Sequence, residues 1–252
     1  MGDSLASRQY SRSSRKVGRP ADDTLGLRLS SRHLELSDSG HHRLRHLQPP
    51  ASSQALRERS VLVELLRPFG AAGSADALIG EFGSVAAILA AGPAAQARLL
   101  GAGHPAVPHL GMIRDVMLHV LRAEILKGPV LGNLRALVDY LFADLAHLPT
   151  ERLRVLFLNA KNRLLADETM SEGSVSEIAI HPRAIMKRAL ELGSTALILV
   201  HNHPSGDPSP SQGDIDSTRR IAEAAKALDI CIHDHLIVAR SGWSSFRNLG
   251  LL

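Results

Sequence analysis

The chain has 252 residues, 44% of them hydrophobic and only 3% aromatic, with a formal net charge of +4 and one cysteine, Cys231. That length suits one large or two small domains, whose core Leu, Ala, Val and Ile must build. No apolar run reaches 18 residues, no apolar signal core is seen, and a single cysteine excludes an internal disulfide, so the expectation is a cytoplasmic protein with no membrane span.

Residues 1–50 hold nine Lys and Arg against five Asp and Glu, and residues 51–252 hold twenty of each. The basic excess therefore lies in the first fifth of the chain. Ser and Arg dominate 4–19, no apolar period is sustained, and Pro49-Pro50 closes the segment, so 1–50 is predicted to be a disordered basic tail. His33, His41, His42 and His46 lie in it, and solvated side chains are the expectation for them.

Residues 51–126 form a predicted helical region. Leu56, Val61, Leu62, Leu65 and Leu66 share one face before Arg67-Pro68. Ala75 to Phe82 and Ser84 to Ala91 suggest short helices. A long apolar pattern follows at Ile113, Val116, Met117, Val120 and Leu121. Pro105 and Pro108 are expected to interrupt it.

Lys127-Gly128-Pro129 marks a boundary, and 127–252 reads as an α/β domain. Leu134 to Leu145 is amphipathic. Leu153 to Leu158 is a strand begun near Thr150-Glu151, and Lys161-Asn162 turns it into a partner over Arg163 to Thr169. A short strand is predicted at Ser174 to Ile180. Pro182 opens a helix that Gly193 ends. The apolar run Ala196 to Val200 is a central strand, Ile215 to Leu228 a helix, and Cys231 to Val238 a closing strand. Trp243 to Leu252 is expected to pack as a cap.

Between that strand and helix lies His201-Asn-His-Pro-Ser-Gly-Asp-Pro-Ser-Pro-Ser-Gln-Gly-Asp214. Residues two apart on a strand share a face, so His201 and His203 can aim at one point. Pro204, Pro208 and Pro210 stop the strand, and Gly206-Asp207 favours a sharp turn. Ser211 suits a helix N-cap with Asp214 three residues on, so the carboxylate can fold back towards the imidazoles. Two imidazoles, one carboxylate and an open fourth position suit a catalytic zinc, one Zn2+ per chain, able to acidify a water. Cys231, His233 and His235 offer a rival ligand face by the same two-residue spacing, with His235 instead expected to support a ligand or fill the core.

The spacing His201-x-His203-Pro204, then Ser211 and Asp214, resembles the JAMM (MPN+) metalloprotease motif. The fuller string, with Val155-Leu-Phe-Leu-Asn-Ala-Lys-Asn162, Pro182-Arg183, Asp234-His-Leu-Ile-Val238 and Ser245-Phe-Arg247, is similar to the RadC family. That resemblance implies an MPN fold, a mixed sheet between helices laid out like the zinc deaminases, after a small all-α region. It implies His201, His203 and Asp214 as metal ligands, Ser211 as support for an oxyanion, and an upstream glutamate as acid-base group. Glu151 fits that glutamate's place, with Glu168 and Glu172 as competitors. The helical region resembles a degenerate helix-hairpin-helix.

Two functions follow as expectations. One is a zinc-dependent hydrolase in which activated water attacks the amide or isopeptide bond of a peptide substrate. The other is a DNA-repair-associated accessory protein that binds nucleic acid and keeps a structural metal. The turn Leu100-Gly-Ala-Gly-His-Pro105 is not followed by the cluster of lysines that phosphate binding uses, so DNA is the weaker partner.

Overall fold

A computed structural model describes residues 51–173 and 181–252 and the backbone of His41–His42, all within a unit running from Leu36 to Leu252. The predicted strand at 174–180 and the rest of the basic tail lie outside the described residues.

In chain order the strand β1 (His41–His42) is followed by α1 (Ala51–Leu66), α2 (Ala75–Phe82), α3 (Val85–Ala90), α4 (Pro93–Leu100), α5 (Ala106–Leu126) and α6 (Leu134–Leu145). Then come β2 (Glu151–Leu158), β3 (Leu164–Gly173), α7 (Pro182–Glu191), β4 (Ala196–Asn202), α8 (Gln212–Lys226), β5 (Cys231–Ala239) and β6 (Gly242–Ser245).

The helices α1 to α5 close around Leu62, Leu66, Leu78, Ile88 and Leu110. The expected interruption of the long helix does not occur. Pro105 sits at the N-cap of α5 and Pro108 in its first turn, where backbone N–H groups have no intrahelical partner to lose. The prolines therefore start the helix.

The sheet runs β1-β6-β5-β4-β2-β3, with β4 and β5 parallel and every other pair antiparallel. β1 adds only two residues at the edge, so five strands carry the sheet. Every residue of β4 is buried, as a near-continuous apolar run predicts for a strand covered on both faces. Leu156, Ile198, Val200 and Leu236 pack on α6, whereas Val155, Leu197 and Leu199 pack on α7 and α8. Burial of each such aliphatic side chain contributes roughly 1.5–3 kcal/mol, so β4 is the most firmly held part of the sheet, and the motif loop leaves from its end. Within the expected cap Trp243 to Leu252, Trp243 to Ser245 belong to strand β6 and pair with Leu236 to Val238.

One irregularity positions the site. The pairing of β4 with β5 runs Leu197 with Ile232 and then Ile198 with Asp234, leaving His233 as an inserted residue. Such a bulge shifts the alternation of the strand by one. His235 then pairs with Leu199 and shares the face of His201, the face that α8 covers.

Candidate metal centre

The site forms where β4 ends and α8 begins. Ser211 is the N-cap of α8, its hydroxyl accepts from the Asp214 N–H at 3.1 Å, and its own N–H donates to Asp214 Oδ2 at 2.8 Å. This reciprocal box fixes the carboxylate at the helix N-terminus, where the helix dipole favours negative charge. The Ser211 hydroxyl proton also goes to Asp214 Oδ2, at 2.6 Å.

The motif loop is tied down along its length. His203 N–H bonds to Val238 O at 2.9 Å, Gly206 N–H to His203 O at 3.0 Å, and Arg240 reaches Pro204 O at 3.1 Å. Gly206 has φ +93, a conformation that L side chains rarely adopt, so glycine is needed at this turn. Ser244 Oγ donates to Pro208 O at 2.6 Å.

These restraints bring His201, His203 and Asp214 together. Among the described residues, they form the group of His, Cys, Asp or Glu side chains whose ligand atoms could share one ion, all within 4.8 Å of one another. His201 Nε2 is 2.9 Å from His203 Nε2 and 3.1 Å from Asp214 Oδ1, and His203 Nε2 is 3.4 Å from Asp214 Oδ2. The outer nitrogen of His203, Nδ1, lies 2.8 Å from the Asp207 carbonyl oxygen. A carbonyl can only accept, so Nδ1 carries a proton and the neutral ring presents a lone pair at Nε2.

The electrostatics agree. Burial works against ionisation of Asp214, but hydrogen bonds with His201 and His203, and then with Ser211, hold its carboxyl well below the usual range. Burial also works against a charged His203, and is outweighed by Asp214 and the Asp207 carbonyl, with Glu151 adding, so its pKa is raised. The pocket attracts positive charge.

Glu151 opens β2 on the face of His201, because Leu153 pairs with His201 and alternate residues share a face. Asn202, 1% exposed, secures that end: its Oδ1 accepts from Arg152 N–H at 2.9 Å and its Nδ2 donates to Thr150 O at 3.0 Å. Glu151 lies between those two anchored residues. The competing glutamates are engaged elsewhere. Glu168 is gripped by Arg188 through two nitrogens and Glu172 by Arg152 at 2.9 Å. Asp207 turns the loop, accepting from Ser209 N–H at 3.0 Å.

The rival cluster is split by the bulge. His233 Nε2 meets Asn162 Oδ1 at 2.7 Å and its Nδ1 meets Cys231 Sγ at 3.6 Å. His235 is fully buried, with Nε2 at 2.8 Å from His201 Nδ1 and its ring stacked on Phe246. A uniform two-residue alternation put His233 and His235 on one face, and nothing in composition signals the inserted residue. Thr218, which bonds His235 Nδ1 at 2.6 Å, was not singled out by the sequence either. Its place one turn after Asp214 on an amphipathic helix was the available signal.

Residues 131–251 match the family model described as the RadC-like JAB domain. The chain is also 47% identical over 175 residues to a UPF0758 protein of Rhodobacter capsulatus, across 69% of this chain and 82% of that one. No described helix is long and apolar enough to cross a membrane.

Proposed function

Because the chain belongs to the RadC family, whose domain here carries two imidazoles and a carboxylate at one point, we propose that it is a zinc-dependent hydrolase of amide or isopeptide bonds. The observation that carries the reading is the donor set. His203 Nε2 offers a lone pair, Asp214 is ionised, and His201 Nε2 faces both at about 3 Å. Two imidazole nitrogens and a carboxylate oxygen this close together are ligand atoms that one bound cation can share. Two nitrogens and one oxygen on a rigid strand end and helix start suit Zn2+ with an open position.

The ion would supply Lewis acidity, enough to make water nucleophilic near neutral pH. The rest belongs to the chain. Glu151 takes a proton from the attacking water as its oxygen bonds to the amide carbon. It passes that proton to the nitrogen as the C–N bond breaks, leaving a carboxylic acid and an amine. Ser211 stands at the rim. Turning its O–H towards the substrate's carbonyl oxygen would leave Asp214 still held by the Ser211 N–H, so the residue can both position the ligand and stabilise the developing charge.

The test is elemental mass spectrometry on purified wild type and on the double variant His201→Ala/His203→Ala, followed by a screen of peptide and isopeptide substrates. One zinc per chain in the wild type, lost in the variant, is the expected result. No metal in the wild type after zinc has been offered would end the hydrolase reading.

A further inference from the structure

We infer that Thr218 and His235 form a hydrogen-bond relay that holds His201 in its Nδ1–H tautomer and so keeps the Nε2 lone pair on the metal point; the inference rests on the metal reading above. The direction of the relay follows from its far end. Thr218 Oγ1 lies 2.6 Å from the backbone carbonyl of Asp214. A carbonyl only accepts, and a hydroxyl has one proton, so Thr218 donates there. Towards His235 Nδ1, at 2.6 Å, Thr218 can then only accept, so His235 carries its proton on Nδ1.

His235 has no exposed surface, and its ring lies against Thr218, His201 and Phe246, none of them a carboxylate, so the buried ring is held as the neutral imidazole. A neutral ring protonated on Nδ1 has its lone pair on Nε2. That atom is 2.8 Å from His201 Nδ1, so His201 must donate, and its own lone pair falls on Nε2 beside Asp214 Oδ1.

The two ligand imidazoles are therefore set by the same device at different lengths. His203 reaches a backbone carbonyl, that of Asp207, in one step. His201 is too deep for that, being 3% exposed, and reaches one in three. The carbonyl it reaches belongs to Asp214, the residue whose side chain shares its ion. Phe246 stacked on His235, with ring centroids 4.6 Å apart, blocks the ring from turning over. Neither residue touches the reacting atoms; both are positioning residues.

The test uses the full chain with 15N-labelled histidine. Long-range proton–nitrogen correlation on the metal-free protein reads which His201 nitrogen is protonated, and competition with a chelator reads zinc affinity. The expected wild-type result is His201 protonated on Nδ1. Thr218→Val should shift the His201 tautomer and weaken zinc about ten- to a hundredfold, and Thr218→Ser should restore both. His235→Gln, whose Oε1 can stand in for Nε2 as acceptor, should keep the His201 tautomer, and His235→Leu should lose it. The Gln and Leu pair decides the matter even if Thr218→Val fails to fold. A wild-type His201 protonated on Nε2, or His235→Leu with wild-type tautomer and zinc affinity, overturns the relay. Failure of the metal reading would show separately, as wild type that takes up no zinc whatever the tautomer.

Discussion

The sheet buries a polar cluster on each face, and the two are neutralised in opposite ways. On the α6 side, Arg154 from β2 meets Asp144, Asp167 and the Tyr140 hydroxyl, and Arg114 from α5 also reaches Asp144. Burial disfavours the charged Arg154, but Asp167 and Tyr140 outweigh it and its pKa is raised. Two cations face two carboxylates, and the cluster is complete within the chain. On the α8 side, His201, His203 and Asp214 bring three ligand atoms together, and among the described residues Asp214 pairs with the two histidines and with no arginine or lysine. The chain supplies its own counter-charge where it joins α5, α6 and the sheet, and in the function proposed above a bound cation supplies it at the other cluster. A buried polar cluster is thus read by whether its charges close.

The comparison can be broken from either side. Its strongest claim is that the α8 cluster can be disabled chemically and left whole as a binding site. Glu151→Gln should cut hydrolysis of any substrate found by about 10²–10⁴-fold, with zinc stoichiometry by mass spectrometry unchanged. A Gln variant as active as wild type would move the acid-base role elsewhere. Next in size, Arg154→Met should leave buried Asp167 without its arginine and Asp144 with Arg114 alone, and cost about 3–5 kcal/mol in urea unfolding, with the folded fraction still binding one zinc. A cost near zero would mean that the ionic cluster is not the joint described.

Zinc at roughly a hundred times its Kd should add about 2.7 kcal/mol to wild-type stability. His203→Ala should show none of it, and Arg154→Met should gain the full increment, because the two clusters are independent. Ser211→Ala removes the capping box and should cost about 1 kcal/mol without zinc, measured by the same titration.

The smallest effect concerns a group that fits neither pattern. His147 Nδ1 is buried and has no hydrogen-bond partner among the described residues, and burial, with Arg240 nearby, lowers its pKa. A histidine pKa lowered by folding means that the unfolded chain binds the proton more tightly. The stability this group contributes is therefore fully present above about pH 6.5 and is lost as pH falls below it. Wild type should lose thermal stability from pH 7 to 5.5, and His147→Phe should flatten part of that slope.

Much of this was legible in the residues because the signals are local. Ser211 with Asp214, Pro182 at a helix start, and the apolar run of β4 each act within one turn or one strand, and the helices and strands fall where those signals put them. The misreadings came from position. Pro105 and Pro108 looked like breakers and are starters, because a proline's effect depends on where it lies in the helix. β6 is only four residues, and its pairing with β5 is invisible without the partner strand. The His201–His203–Asp214 grouping could be proposed from spacing, but the Thr218–His235 contacts join a helix to a distant strand, and only the folded chain brings them together.

The inserted residue in β5 gives the strand slack beside the centre. Every residue before His233 keeps one parity along the strand and every residue after it the other. The ladder on either side is already aligned, Leu197 with Ile232 and Ile198 with Asp234. Removing His233 would therefore close the bulge into a regular ladder, leaving His235 opposite Leu199 on the α8 side and Leu236 and Val238 in the core they fill. A chain shortened by one residue at that point should keep its centre, and relatives should accept a change of length there as readily as a change of letter.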